Sequence, residues 1–286
     1  MGLKKNKVRK PMLLSHTRPP TAKTNRAALS SKATRNLIRT HHRLLKRREQ
    51  AQQAGDQVLV AQLDAEIKKN GGLESYQLAS KLGQSMERGG DSSKVLVDWI
   101  SPKLRELADM KLKFRVLEVG ALSTKNACSM NPQLDVTRID LNSQEPGIQK
   151  QDFMERPLPV DDSDRFHIIS LSLVLNYVSS PLCRGEMLKR CVAFLTKSPP
   201  SDASIIVTPS LFLVLPLACV DNSRYLTESR LHDILSTLGF VLVNTKKTSK
   251  LIFQLWEHCH DSKPKSFKKE MLNPGRTRNN FAIVTK

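Results

Sequence analysis

The first 48 residues contain no aspartate or glutamate, although they carry 15 lysines and arginines. A segment so one-sided cannot neutralise itself, and lysine or arginine displacing counterions from nucleic-acid phosphate is the partnership it fits. A solubilising or nuclear-import tail has the same composition. The arm also lacks the Trp, Phe and Leu face of an interfacial helix, which speaks against a membrane surface. Long apolar runs are missing too. The longest, LFLVLPLACV from Leu211, is ten residues with an internal proline, far too short to cross a bilayer. Met1 is followed by lysines and not by an apolar leader, so no signal peptide is in view.

The five cysteines (128, 183, 191, 219 and 259) are odd in number and never spaced as CxxC, so they read as reduced thiols of an intracellular protein. His258, Cys259 and His260 are adjacent on an expected strand and point to alternate faces, so no metal site is expected. Glycine is scarce where a phosphate loop would need it. RVLEVGALSTKNACS, from Arg115, runs a strand into a turn with Gly120 alone. No GxxxxGK[ST] and no GxSxG occurs anywhere, which leaves a P-loop and Ser-His-Asp catalysis without support.

What is present divides into three parts. The whole chain of 286 residues carries +19. Residues 261–286 hold seven basic and two acidic residues; subtracting their +5 and the arm's +15 leaves −1 for residues 49–260. Residues 1–30 read as a disordered basic arm. Residues 31–110 read as a helical section. A partial stripe of Leu37, Ile38, Leu44 and Leu45 is followed by a helix capped by Asp56 and stopped at Gly71-Gly72. A third helix covers about 73–88, and Asp91 caps a fourth. Residues 111–286 read as a Rossmann-like doubly wound α/β domain. Its short apolar strands FRVLEVG, VTRIDLN, QDF, FHIISLSLVLNYV and SIIVTPS alternate with helices, FVLVNT and KLIFQLWE follow, and FAIV at 281–284 closes the sheet edge.

In such a sheet the strand ends meet where ligands bind. Glu118 lies two residues before Gly120, Asp140 ends the second strand, Asp152 and Phe153 end the short third, and Ser172, in the fourth, is a further cofactor-side candidate. A dinucleotide needs further glycines because its pyrophosphate approaches the backbone; S-adenosylmethionine (SAM) has an adenosine but no phosphate, and tolerates Leu122 and Thr124 there. Gly120 would leave room for its methionine moiety. Asp140 would hold the ribose hydroxyls, and the Asp152 carboxylate and Phe153 amide would meet the adenine. Alternatively, any one of these residues is an ordinary turn former. The fourth strand ends in SLVLNYVSSP, where Asn176 and Tyr177 are candidates for a base edge and a base face, or else a strand terminator and a core ring. Arg224 and Tyr225, in DNSRYLT, either line a substrate mouth or cap the next helix. No nucleophile–base pair is in view. An adenine ring nitrogen has its own lone pair, so positioning and desolvation suffice for its methylation.

The runs GGLESYQLASKLGQSMERGGDSSKVLVDWI, RVLEVGAL, IDLNSQEPGIQKQDFMERPLP, SLVLNYV and LFLVLPLACVDNSRYLT resemble the fungal nucleolar 25S rRNA adenine-N(1) methyltransferase family over about residues 70–286. The resemblance implies a class I SAM-dependent fold, methylation of adenine N(1) in large-subunit rRNA during ribosome biogenesis, and nucleolar residence. It carries cofactor binding to Gly120 and Asp140 and assigns no catalytic residue. Large-subunit rRNA or a pre-ribosomal particle, met through the basic arm, is the expected partner. The same pattern also resembles an animal SAM-binding sensor, so a non-catalytic SAM-binding adaptor is the alternative. A ribosome-assembly module with a vestigial cofactor site is a third reading. The arm's uncompensated charge favours the enzyme over a sensor that acts through a protein partner.

Overall fold

The computed structural model describes residues 30–83, 90–143, 145–196, 198, 208–263 and 265–286; the expected basic arm and the end of the third helix lie outside these residues. Four helices come first: α1 Ser31–Gln53, α2 Gln57–Lys69, α3 Gly72–Gly83 and α4 Ser93–Asp109. Local chemistry sets their ends. The Ser30 hydroxyl accepts from the Ala33 amide and Asp56 Oδ1 from the Leu59 amide, each supplying an acceptor for a first-turn N–H. Gly71, at φ +86°, turns the chain between α2 and α3. Leu44 and Ala51 of α1 bury against Val60 and Leu63 of α2 in a small core of their own.

The remaining elements, in chain order, are β1 Phe114–Val119, α5 Ala127–Met130, β2 Leu134–Asp140, β3 Gln149–Lys150, β4 Ile168–Ser172, α6 Pro181–Phe194, β5 Ser210–Pro216, α7 Ala218–Asp221, α8 Glu228–Thr237, β6 Phe240–Lys247 and β7 Leu251–His258. The seven strands form one sheet in the order β3-β2-β1-β4-β5-β7-β6. All pairs are parallel except those made by β7. The expected doubly wound α/β sheet is present, and its order reverses between β1 and β4.

Burial on both faces explains the continuous apolar strands. In β5, Phe212 and Val214 pack towards Leu96, Ile100, Leu104 and Leu107 of α4. Leu211, Leu213 and Leu215 alternate with them and pack towards α6 and α8. Helix α4 therefore shares the sheet's own core.

Four strand expectations change, the first being that β4 stops at Ser172 and does not run on through SLVLNYV. FAIV forms no strand; β7 closes the sheet by inserting between β5 and β6. All of Ile252–Trp256 is buried, which suits an inner strand. FAIV instead runs beside α6, where the Val284 amide donates to the Pro181 carbonyl (2.9 Å). The third strand ends at Lys150, because Asp152 starts a turn by accepting the Met154 amide at Oδ1 (2.7 Å). Of SIIVTPS, residues 204–207 lie outside the described residues, and β5 begins at its last serine.

Candidate active site

The carboxyl ends of β1 and β4 open on a cavity of about 550 Å³. Glu118, Gly120 and Ser172 line it from the strands, Ser123 and Asn126 from the turn after β1, Glu145 from the turn after β2, and Asp91 and Ser92 from the start of α4. Gly120 has φ +73°, a conformation that opposes side chains, and a Cβ there would come within 2.6 Å of Val174 Cγ2. Its amide donates to the Ile139 carbonyl (2.8 Å), tying the ends of β1 and β2 together.

Glu118 is the most unusual group in the cavity. One carboxylate oxygen accepts from Asn126 Nδ2 at 2.7 Å, while Oε2 is buried with no hydrogen-bond partner. Burial pushes the carboxyl above its ordinary range, opposed by the Asn126 hydrogen bond and the charge of Arg138. A buried carboxylate oxygen without a donor is complementary to a cationic N–H ligand. Asp91 fixes the opposite wall. Its Oδ1 accepts from the Ser93 amide and hydroxyl (2.9 and 2.7 Å), and Oδ2 from the Ala127 amide (2.6 Å). The Ser92 and Ser172 hydroxyls meet at 2.7 Å, joining α4 to the end of β4.

The other expected cofactor residues stand outside this lining. Asp140 ends β2, half-buried, its Oδ1 accepting from the Asn142 amide at 2.8 Å. Asp152 and Phe153 follow β3. The Phe153 ring is core, 5.5 Å from that of Phe194, so only its backbone is in position to face a ligand.

The β4 loop borders the cavity at Val174. Leu173 holds a left-handed φ of +57°, which costs a leucine of the order of 1 kcal/mol and sharply turns the chain out of the strand. A turn closes as the Tyr177 amide donates to the Val174 carbonyl (2.9 Å). Asn176 hydrogen-bonds the Tyr177 hydroxyl. The amide oxygen of Asn176 is buried without a partner. Burial raises the Tyr177 hydroxyl above its ordinary value, so it stays a neutral phenol. The Tyr177 ring stacks on His42 of α1, with centroids 4.3 Å apart and planes 19° from parallel. Tyr177 is therefore not a core ring, and 38% of its surface is exposed.

Arg224 has partners within the chain. Its guanidinium donates to the Gly275 carbonyl (2.9 Å), Asn280 Oδ1 (2.6 Å) and the Arg276 carbonyl (3.1 Å), so it fastens the C-terminal segment. Its carbonyl also accepts from the Leu272 and Asn273 amides. Tyr225 is half-buried beneath the Lys269 ammonium, 4.5 Å from the ring centroid. Several lining residues were missed, among them Asp91, which was read only as a helix cap, and Asn126 and Glu145, which were not singled out. The available signal was the position of acidic and amide residues just after strand ends and just before α4. His42 left no local signal, since its partner lies far along the chain.

A family model described as 25S rRNA (adenine(2142)-N(1))-methyltransferase, Bmt2, matches residues 61–283. The chain belongs to this family. It is 38% identical over 251 residues to the 25S rRNA adenine-N(1) methyltransferase of Schizosaccharomyces pombe, covering 86% of this chain and 89% of the relative. It is also 38% identical over 250 residues to the 25S rRNA (adenine(2142)-N(1))-methyltransferase of Saccharomyces cerevisiae, covering 85% and 70%. Among solved structures, the chain is similar to the N-methyltransferase NodS from Bradyrhizobium japonicum WM9 in complex with S-adenosyl-L-homocysteine. That likeness is 12% identical with a TM-score of 0.37, over 55% of this chain and 84% of NodS. The [4+2]-cyclase SpnF is 13% identical with a TM-score of 0.42, over 65% and 94%.

The cavity suits the family's cofactor. SAM brings an α-ammonium and a sulfonium, both cationic, and the unpartnered Oε2 of Glu118 is an acceptor for such an ammonium. The single glycine is enough, since no phosphate has to approach the turn. Asp140 stands at the strand end from which a carboxylate can take both ribose hydroxyls.

Proposed function

We propose that this chain methylates the N(1) ring nitrogen of an adenine in 25S rRNA, using SAM. The observation that carries the reading is the family match. It runs from within α2 to the C-terminal segment and so spans the cavity, the β4 loop and Asn176–Tyr177 alike. When bound, the cofactor supplies an electrophilic methyl group on a cationic sulfur.

The chain's own residues have positioning work to do. Glu118 and Asp140 hold the cofactor's polar groups, and Gly120 lets the β1 turn pass close to Val174. Asn176, with its buried free oxygen, accepts from an exocyclic amine and so orients the base edge. Tyr177 offers its ring for stacking, which requires His42 to move aside, because a 4.3 Å separation has no room for a base. No side chain has to remove a proton, since N(1) presents a lone pair. Cys128, the thiol nearest the cavity, is pushed up to about 12 by burial and stays protonated.

In this reading the basic arm gives rRNA affinity, the target is the adenine numbered 2142 in the family description, and the protein works in the nucleolus during ribosome biogenesis. The test is transfer of labelled methyl from SAM to large-subunit rRNA from cells lacking the protein, with Asp140→Ala as control. Label in N(1)-methyladenine that vanishes in the variant supports the reading. Cofactor binding without transfer to rRNA or to pre-ribosomal particles would make the chain a SAM-binding adaptor. Deleting residues 1–29, which leaves α1 whole, should weaken rRNA binding and flatten its salt dependence while SAM affinity stays.

A further inference from the structure

One helical turn beyond His42, α1 forms the wall of a second cavity, of about 200 Å³. Lys46 and Glu49 line it from α1, Ser179 and Ser180 from the end of the acceptor loop, Arg184 from α6 and Lys269 from the C-terminal segment. Three cations from distant parts of the chain thus converge on one space, against a single carboxylate. That carboxylate, Glu49, accepts the Ser179 hydroxyl. Arg184 is buried, yet its guanidinium donates only to the carbonyls of Val178, Ala282 and Ser179, so its charge is not cancelled by an anion. Lys269 is steadied over the Tyr225 ring, a contact that holds an ammonium without neutralising it. Neither Lys46 nor Lys269 pairs with a carboxylate among the described residues. The 14-residue helix α6 begins at Pro181 and adds the positive end of its dipole.

We infer that this cavity is a phosphodiester site for the rRNA strand, next to the nucleotide whose base meets Asn176 and Tyr177. The inference rests on the rRNA reading above. Net positive charge, a serine hydroxyl and a helix start suit an anion with several acceptor oxygens. The cofactor has no phosphate and does not compete for the cavity. The strand lies between the two cavity walls that α1 and the C-terminal segment provide. This gives Tyr225 a part on the substrate side after all, as the platform beneath Lys269.

The experiment uses the full chain with Lys46→Gln and Lys269→Gln combined, and a control with Lys68→Gln and Lys69→Gln on the exposed end of α2. Arg184 is left intact because it fastens the loop and the C-terminal segment. Binding of a fluorescent 25S rRNA fragment is read by anisotropy across a salt series, so the outcome does not depend on methyl transfer. Failure of the reaction itself would appear in the transfer assay above and leave this readout standing. The expected result is a Kd about tenfold weaker, with a salt slope smaller by about 1 to 2, and the SAM Kd unchanged. The control pair should stay within about twofold of the native protein. Inorganic phosphate should compete with the fragment on the native protein more strongly than on the variant. Equal losses in both pairs would mean a general electrostatic effect and overturn the inference. So would an unchanged Kd and slope, or phosphate bound by the native protein without competing with the fragment, which marks a site for free anions.

Discussion

His42 and Tyr177 lie face to face, ring centroids 4.3 Å apart, although they come from the first helix and the loop after the fourth strand. The stack fastens α1 across the acceptor side of the sheet. The imidazole is partly buried there, and burial, with help from the charge of His41, lowers His42 to about 4. The unfolded chain takes its proton near 6.5. A folded value below the unfolded one gives stability that is complete above about pH 6.5 and is lost as the pH falls towards 4. The His42 ring should therefore titrate by NMR with a midpoint near 4. A midpoint near 6.5 would mean that the stack does not form in solution.

Glu118 separates stability from binding. Its raised value means the native state holds the proton more tightly than the unfolded chain does, so its contribution to stability falls as pH rises above the ordinary carboxyl range. Glu118→Gln keeps the acceptor for Asn126 and removes the buried charge. Without cofactor, the variant should melt at a higher temperature than the native protein at pH 7.5, and the difference should shrink on acidification. Its SAM affinity should fall about tenfold, the scale of one lost charge-assisted hydrogen bond, as read by calorimetry.

Gly120→Ala should destabilise the fold by about 2 kcal/mol in urea unfolding, since the backbone is left-handed and the new methyl meets Val174. Adding Val174→Ala should recover part of the loss and not all of it, because the backbone strain stays. Full recovery would put the whole effect on the contact.

Asn176→Ala should lower kcat/KM for rRNA by about 10- to 100-fold while the SAM Kd stays within twofold, because the proposed function assigns this acceptor to the base edge and Asn176 does not line the cofactor cavity. An equal loss in SAM affinity would place Asn176 on the cofactor side.

Arg224→Ala should cost about 1 to 2 kcal/mol of stability and speed proteolysis within residues 272–281, because three guanidinium bonds to that segment are lost. The salt slope of rRNA binding should not change. A fall of about 1 would restore Arg224 to the phosphate-contacting role expected from its loop.

These residues also mark what the sequence could reveal. The placement of Gly120 and Asp140 at neighbouring strand ends was legible because a doubly wound sheet brings its strand ends together, and strand ends show in the hydrophobic pattern. The neighbours those ends acquire were not legible. Nothing near Asp91 signals that its second oxygen reaches the Ala127 amide. Nothing near Arg224 signals that a segment some fifty residues later wraps round its guanidinium. β7 was read as a strand, but its place inside the sheet depends on antiparallel pairing, which an apolar run alone does not encode. FAIV looked like a strand for the same reason. Phe281, Ala282 and Ile283 are buried, but the segment runs beside α6 and pairs with no strand of the sheet.

The order of the strands has a further consequence, for the behaviour of the protein at high concentration. Sheet edges are where chains recruit one another, because a long flat outer strand presents a row of unpaired amides and carbonyls. Here one edge is β3, only two residues long. The other is β6, whose pairing slips between Leu242 and Asn244 and which ends in Lys246 and Lys247. Inserting β7 between β5 and β6 buries the most apolar of the late strands and turns a bulged, lysine-tipped one outward. Neither margin is a good template, so the sheet does not invite a second chain to extend it.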